Sequence, residues 1–282
     1  MLSKRLRKAF KGELKNLRLE WRRQSGSFSP RDLHIGIASL GVCREDTLFV
    51  HSSHDRFEGF TGKPTNVNHI LQEVVSDGTL LMPTLSFGGT AVEYVAQAKV
   101  FDVKRTPSQM GLLTELFRRE PGVLRSVHPT HSVAAWGRGA AAMIANHHLA
   151  TTPCGRATPY QRLLNNDGKI LFLGTDISVM TFFHYLEADL ESRMPFSPFT
   201  REVFTLISKD WDGKELVTRT RLYDPQYSKR RNLQKLIPVL KADASWHESR
   251  VGTVNLILLG AWAVHKACNE LAQRGVYCYD AI

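Results

Sequence analysis

The sequence predicts an α/β fold: a layered α/β/α body around a mainly parallel central sheet, with an added β-hairpin and helix region. Two observations carry this. Short apolar runs of strand length alternate with longer stretches of helical period. Turn signals such as Asp77-Gly78, Asp167-Gly168 and Asp212-Gly213 sit between them. At 282 residues the chain can bury one large core or two small ones. With 43% apolar and 23% charged residues, a disordered chain is excluded.

The elements follow in order. Residues 1–24 carry nine Lys or Arg, and Leu2, Leu6, Phe10, Leu14, Leu17 and Trp21 recur at helical spacing. This predicts a basic amphipathic helix, packed on the body in preference to docking on a membrane. Residues 1–28 are thus a helix and linker, and 29–282 the main domain. Ser29-Pro30 is an N-cap with proline at the first helical position, opening a helix to Leu40. Thr47–Ser52, Thr79–Thr84 and Lys169–Gly174 read as buried strands. Thr65–Val75, Ser108–Arg119, Ala140–Asn146, Thr158–Leu164 and Val179–Leu190 read as helices, and Ser132–Trp136 as a short strand. Val203–Ser208 and Glu215–Leu222 form a hairpin. A helix over Lys229–Lys241, a strand Thr253–Leu258 and a helix Ala261–Gln273 close the chain.

No apolar run reaches the eighteen or so residues of a spanning helix. The basic N-terminus lacks the apolar stretch and cleavage site of a secretory signal. The four cysteines, at 43, 154, 268 and 278, form no CxxC pair, so a reducing cytoplasmic location is expected. Thirty-seven Lys and Arg against 27 Asp and Glu give a net charge of +10. Such a protein attracts polyanions, anionic lipids or acidic small molecules. No nucleic-acid-binding motif accompanies the charge.

The densest constellation is Thr181-Phe-Phe-His184-Tyr-Leu-Glu187. His184 and Glu187 lie three apart, on one helix face, and a carboxylate beside an imidazole makes a general base. The alternative is a solvated structural pair. Arg125-Ser126-Val-His128-Pro-Thr-His131-Ser132 reads either as a polar loop over a pocket or as a surface turn. His51-Ser52-Ser53-His54-Asp55 follows a buried strand, where small residues let backbone N–H groups approach an anion. Its spacing does not suit a metal, and none is expected. Cys154 would need a base near it in space to act as a nucleophile, which a sequence does not show, and it reads as a core or bystander residue.

Taken together, these segments resemble the aminoglycoside 3-N-acetyltransferase family. The matching text runs from Leu48-Phe-Val-His-Ser-Ser53 and Asp77-Gly-Thr-Leu-Leu-Met-Pro-Thr84 through Phe101-Asp102, Thr106-Pro107 and Met110-Gly111. It continues in Phe117–Pro129, Ser132–Gly137, Gly155, Thr158-Pro159, Leu171–Gly174, Thr181–Glu187 and Arg250-Val-Gly252. The resemblance covers residues 30–275. It implies an α/β fold, acetyl-CoA as donor and direct transfer to a primary amine, with no metal. It makes His184 the general base and Glu187 its orienting acid. It puts Ser52, Ser53, Arg125 and Ser126 beside CoA and Thr106–Gly111 along the pantetheine arm. The thioester also needs oxyanion stabilisation, which the N–H groups of the Ser52–Ser53 loop are expected to supply.

The acceptor side departs from the family pattern. The loop 88–94 holds one acid, Glu93, and in Tyr223–Arg231 Asp224 is followed by Lys229, Arg230 and Arg231. With His128, these make the acceptor candidates Glu93, His128, Asp224 and Arg230. The cations favour an anionic amino sugar, such as a nucleotide-linked sugar for surface polysaccharide. The alternatives are an aminoglycoside acceptor, giving antibiotic resistance, and a non-catalytic module for nucleic acid or anionic membrane. The partner is expected to be a small amino sugar and not nucleic acid, with membrane contact reserved for residues 1–24. The oligomeric state is not readable.

Overall fold

A computed structural model describes residues 26–280. The expected N-terminal amphipathic helix lies outside the described residues. Seven strands build the central sheet: β1 (Thr47–Ser52), β2 (Thr79–Pro83), β4 (Leu124–Arg125), β5 (Val133–Gly137), β6 (Lys169–Leu173), β9 (His247–Val251) and β10 (Val254–Gly260). Their order across the sheet is β4-β5-β2-β1-β6-β10-β9. The heart of the sheet, β2-β1-β6, is parallel. β5 and β10 run antiparallel to their neighbours, and β4 and β9 turn back again. All but two strands therefore point one way, as the sequence predicts. A second sheet of three strands joins β3 (Phe101–Asp102) to the expected hairpin, β7 (Phe204–Lys209) and β8 (Glu215–Thr220).

Strand alternation builds a core on each face. In β1, Leu48 and Val50 face one cluster, with Leu80, Met82, Leu171 and Leu173. Helices α1 (Pro30–Ser39), α2 (Pro64–Val74) and α4 (Leu112–Phe117) cover that side. Phe49 faces the other cluster with Leu81, Ile170 and Phe172. There α5 (Ala140–Ile144), α6 (Pro159–Asn165), α7 (Phe183–Leu190), α9 (Leu236–Ala242) and α10 (Ala261–Gln273) pack. Burial on both faces is why the central strands read as continuous apolar runs.

Local chemistry sets the boundaries. Ser29 caps α1 through a capping box: its hydroxyl accepts from the Asp32 N–H at 3.2 Å, and Asp32 accepts from the Ser29 N–H at 2.7 Å. Gly78 packs so closely on the loop before β1 that a Cβ would lie 2.2 Å from the Asp46 carbonyl oxygen. Three predicted helices are shorter than expected. The one from Ser108 starts at Leu112, because Gly111 sits at φ +98° and Glu115 accepts from the Ser108 N–H at 2.7 Å. The one from Val179 starts at Phe183, after a 3-10 turn capped by Asp176. The helix over 229–241 breaks. The short α8 (Pro225–Ser228) ends, Arg231 forms a β-bridge with Tyr279, and α9 begins at Leu236. The short α3 (Ala91–Val95) and strands β3, β4 and β9 carry too little apolar pattern to stand out in the sequence.

Phe172 is fully buried and stacks on His51, with ring centroids 5.3 Å apart. Phe172→Ala is expected to cost about 3–5 kcal/mol. Denaturant unfolding should show a lower midpoint with an unchanged slope.

Candidate active site

The site lies at the carboxyl ends of the parallel strands, the usual place in an open α/β sheet. His184 and Glu187 occupy α7, which follows β6. The His184 Nδ1 and Glu187 Oε2 are 2.8 Å apart. The Glu187 side chain is 0% exposed and that of His184 14%. A carboxylate this deep must be compensated. Arg231 donates from Nε to Glu187 Oε1 at 2.7 Å, and the Tyr279 hydroxyl donates to the same oxygen. Burial alone would raise the Glu187 pKa, but the Arg231 charge and the bond to His184 outweigh it and hold it at about 2. Glu187 is therefore ionised, and it accepts the Nδ1–H of a neutral imidazole. Burial, reinforced by Arg231, lowers the His184 pKa against the opposing pull of Glu187. The ring nitrogen left for chemistry is Nε2, carrying a lone pair.

The His184 ring lines a cavity of about 480 Å³. Its walls come from the loop after β2 (Leu85, Phe87–Ala91), from Gln109 and Met110, from His131, from Ser178–Phe183, and from Tyr223, Ser228, Arg231 and Leu233. Tyr223 lies against His184, with ring centroids 4.7 Å apart, and its hydroxyl donates to the His184 carbonyl at 2.9 Å. This fixes the start of α7. The apolar walls reaching His184 suit the arm and acetyl group of a thioester donor.

The other predicted site residues divide. Of the Thr106–Gly111 stretch, Gln109 and Met110 line the cavity. Thr106 does not; its hydroxyl accepts from the Asp102 N–H at 2.9 Å and holds a turn. Arg125 is corrected to a structural role. It is 1% exposed and donates to Thr84 Oγ1, Ser132 Oγ and the Thr84 and Thr106 carbonyls, with its guanidinium 4.8 Å above the Phe101 ring. It stitches the second sheet to the end of β2, and at this depth its guanidinium does not face the solvent from which a CoA phosphate would come. Ser126 is likewise buried, donating to His147 Nδ1 at 2.9 Å and accepting from the Val133 N–H. Ser52 and Ser53 lie at the end of β1, outside the cavity wall. The Ser53 N–H donates to the Leu173 carbonyl at 2.9 Å, which takes it from the expected oxyanion role.

On the acceptor side, His128 is fully buried behind the wall, and its Nδ1 accepts from the Thr130 and His131 N–H groups. Glu93 closes the capping box of α3 with Thr90, beside the lining loop but not in it. Asp224 caps α8 by accepting from the Gln226 N–H at 2.8 Å. Arg230 also lies off the wall, with its carbonyl accepting from the Asp280 N–H. Sequence reasoning missed the placement of His131, Tyr223, Arg231 and Tyr279. His131 is buried, 5.5 Å from His184 between ring centroids, so the segment 125–132 is a loop over a pocket and not a solvated turn. Cys154 is buried, as its core reading expects, and its pKa is pushed up by burial.

The aminoglycoside 3-N-acetyltransferase profile matches residues 49–272, well over half of the 282-residue chain. The chain belongs to that family. It is 27% identical over 240 residues to the SPbeta prophage-derived aminoglycoside N(3')-acetyltransferase-like protein YokD of Bacillus subtilis, covering 78% of this chain and 83% of that one. It is 28% identical over 183 residues to aminoglycoside N(3)-acetyltransferase VII of Streptomyces paromomycinus, covering 59% of this chain and 62% of that one. That match spans less than two thirds of the Streptomyces protein. The solved aminoglycoside acetyltransferase AAC(3)-Xa superposes with a TM-score of 0.76 at 24% identity, covering 93% of this chain and 98% of that one. A structure described as AAC-IIIb binary with CoASH gives 0.73 at 19%, covering 90% and 99%. These two structures share the fold.

Buried, neutral histidines pack behind the site. Burial lowers the pKa of His51 to about 3, helped by His184, and burial also lowers His147 to about 3. Each group binds fewer protons folded than unfolded, so its stabilisation is complete above the unfolded value near 6.5 and is lost as pH falls toward about 3. The melting temperature should therefore drop steadily from pH 7 to pH 4. Replacing His147 by Gln should flatten that slope, read by thermal denaturation across pH.

Proposed function

We propose that this chain is an acetyl-CoA-dependent N-acetyltransferase acting on a primary amine of an aminoglycoside-class acceptor. The observation that carries the reading is the neutral His184, backed by an ionised, fully buried Glu187, at the wall of a cavity wide enough for a substrate. Family membership supports the reaction class. Related structures described as holding CoASH, a gentamicin or sisomicin support the donor and acceptor.

The division of labour follows from the geometry. An amine of ordinary basicity is mostly protonated at neutral pH and is then no nucleophile, so a base must take its proton. The lone pair on His184 Nε2 supplies that base. Glu187 holds the Nδ1 proton and stabilises the imidazolium as it forms. Acetyl-CoA brings an activated acyl group, and the cavity-lining Met110, Val179 and Met180, with the polar Gln109, Ser178 and Thr181 beside them, would hold its arm. Tyr223 keeps the histidine backbone in place.

The anionic-sugar reading loses its footing. It required the Lys229–Arg231 run to meet the acceptor, whereas Arg231 pairs with Glu187 and Arg230 lies off the cavity wall. The curated relatives are described as aminoglycoside N-acetyltransferases or as like them, which supports the aminoglycoside alternative in its place. A non-catalytic binding module does not account for an assembled base and acid pair.

Release of free CoA from acetyl-CoA, measured against aminoglycosides, nucleotide-linked amino sugars and simple amino sugars, tests the reading. Turnover is expected with an aminoglycoside, and silence across the whole panel would overturn it. His184→Ala should lower kcat by about 10²–10⁴ while the KM for acetyl-CoA changes little. Saturating CoA should raise the melting temperature, since a ligand that binds only the folded state stabilises it by mass action.

A further inference from the structure

The carboxylate behind His184 is itself held from the far end of the chain. Residues 277–280 are clipped to the 230–235 segment by backbone bonds on both sides of the Arg231–Tyr279 bridge: Asn232 N–H to the Cys278 carbonyl and Asp280 N–H to the Arg230 carbonyl, both at 2.8 Å. Asn232 also donates to Asp280 at 2.7 Å, and Lys235 donates to the Tyr277 and Tyr279 carbonyls. The clip brings the Arg231 Nε and the Tyr279 hydroxyl onto one oxygen, Glu187 Oε1, leaving Oε2 for His184. Among the described residues, Glu187 is the carboxylate that Arg231 pairs with. The guanidinium also lies 5.0 Å from the Tyr223 ring centroid, which in turn packs on His184.

We propose that Arg231 and Tyr279 are positioning residues that hold Glu187 charged and aimed at His184 Nδ1, so that the C-terminal segment sets the protonation state of the base. The kinetic consequence rests on the proposed acetyl transfer; the positioning itself does not. Consider the His184–Glu187 pair as one unit. With a neutral imidazole and an ionised carboxylate it carries one negative charge, which the Arg231 cation stabilises. With one more proton it is neutral overall and gains little from Arg231. Removing the cation therefore favours proton uptake by the pair, whichever member takes it. The other groups facing His184 are His51 from β1, His131 from the loop before β5, and Tyr223, with Cys154 behind Tyr223. Burial keeps both histidines and the tyrosine uncharged near neutral pH, so Arg231 is the cation whose loss the pair feels.

The test is a pH titration of the His184 imidazole by nitrogen-15 NMR in the full-length protein, without substrates, paired with the pH profile of kcat. Arg231→Gln should move the midpoint of proton uptake by the pair, and the acid limb of kcat, upward by about one pH unit or more; the His184 ring nitrogens report it whether the proton goes to the imidazole or to the carboxylate that accepts from Nδ1. Arg231→Lys, which returns the charge without the fork, should bring both back toward wild type. If Arg231→Gln lowers the melting temperature but leaves the midpoint in place, Arg231 merely braces the fold and the proposal fails. If Arg231→Gln does not fold, Tyr279→Phe decides: it removes one neutral donor from the same oxygen and should raise the midpoint by a fraction of a unit, and no movement sinks the idea. Because the titration needs no turnover, a chain inactive on every acceptor would overturn the proposed reaction while leaving this result standing.

Discussion

One interaction organises the active region: a carboxylate with no access to water, kept ionised by its neighbours. Glu187 is fully buried, and an isolated charge there would take up a proton. The Arg231 guanidinium, the Tyr279 hydroxyl and the His184 imidazole together satisfy both oxygens. Breaking such a buried pair from one side typically costs about 3–5 kcal/mol, because the stranded charge has nowhere to go. The arrangement is therefore conditional. Each partner is useful only while the others are in place, and they come from α7, the segment after α8 and the C-terminal strand-like tail.

That dependence explains several features that look unrelated. The predicted helix over 229–241 is interrupted because Arg231 must leave helical geometry to bridge Tyr279. The first turn of α7 is short and pinned by Tyr223, which fixes where the imidazole sits relative to the cavity. Arg125 does for the neighbouring sheet what Arg231 does for the site. It is a buried cation with no carboxylate partner among the described residues, held instead by hydroxyls, carbonyls and an aromatic face. One buried and one half-buried arginine thus tie the small sheet and the C-terminal tail to the strand ends where the cavity opens.

The sheet and its helices were legible because they obey local rules. Apolar runs such as Leu48–Val50 and Ile170–Leu173 are buried on both faces, and caps such as Ser29 act within four residues. The His184–Glu187 pair was legible for the same reason, since its partners lie one turn apart. Arg231 and Tyr279 were not, because nothing in sequence links residue 187 to residues 44 and 92 positions downstream. Ser53 and Arg125 misled in the opposite sense. Residue type suggested anion contacts, but the Ser53 N–H is committed to a carbonyl and the Arg125 guanidinium is buried inside the fold. Hydrogen-bond satisfaction is a property of the tertiary structure, and residue identity does not report it.

The acceptor argument shows why a charge count is a poor guide to a site. A surplus of ten positive charges describes the long-range field, which salt screens over about 8 Å at physiological ionic strength. What a bound substrate feels is the uncompensated charge at the wall. Of the run Lys229–Arg231, only Arg231 reaches the cavity, and its charge is balanced by Glu187. The Arg231 charge is thus neutralised inside the fold, while its buried Nη2 has no hydrogen-bond partner among the described residues. A basic run next to a catalytic motif can thus belong to the motif's internal charge balance and leave the substrate's sign open, to be set by the few groups that remain unpaired at the rim.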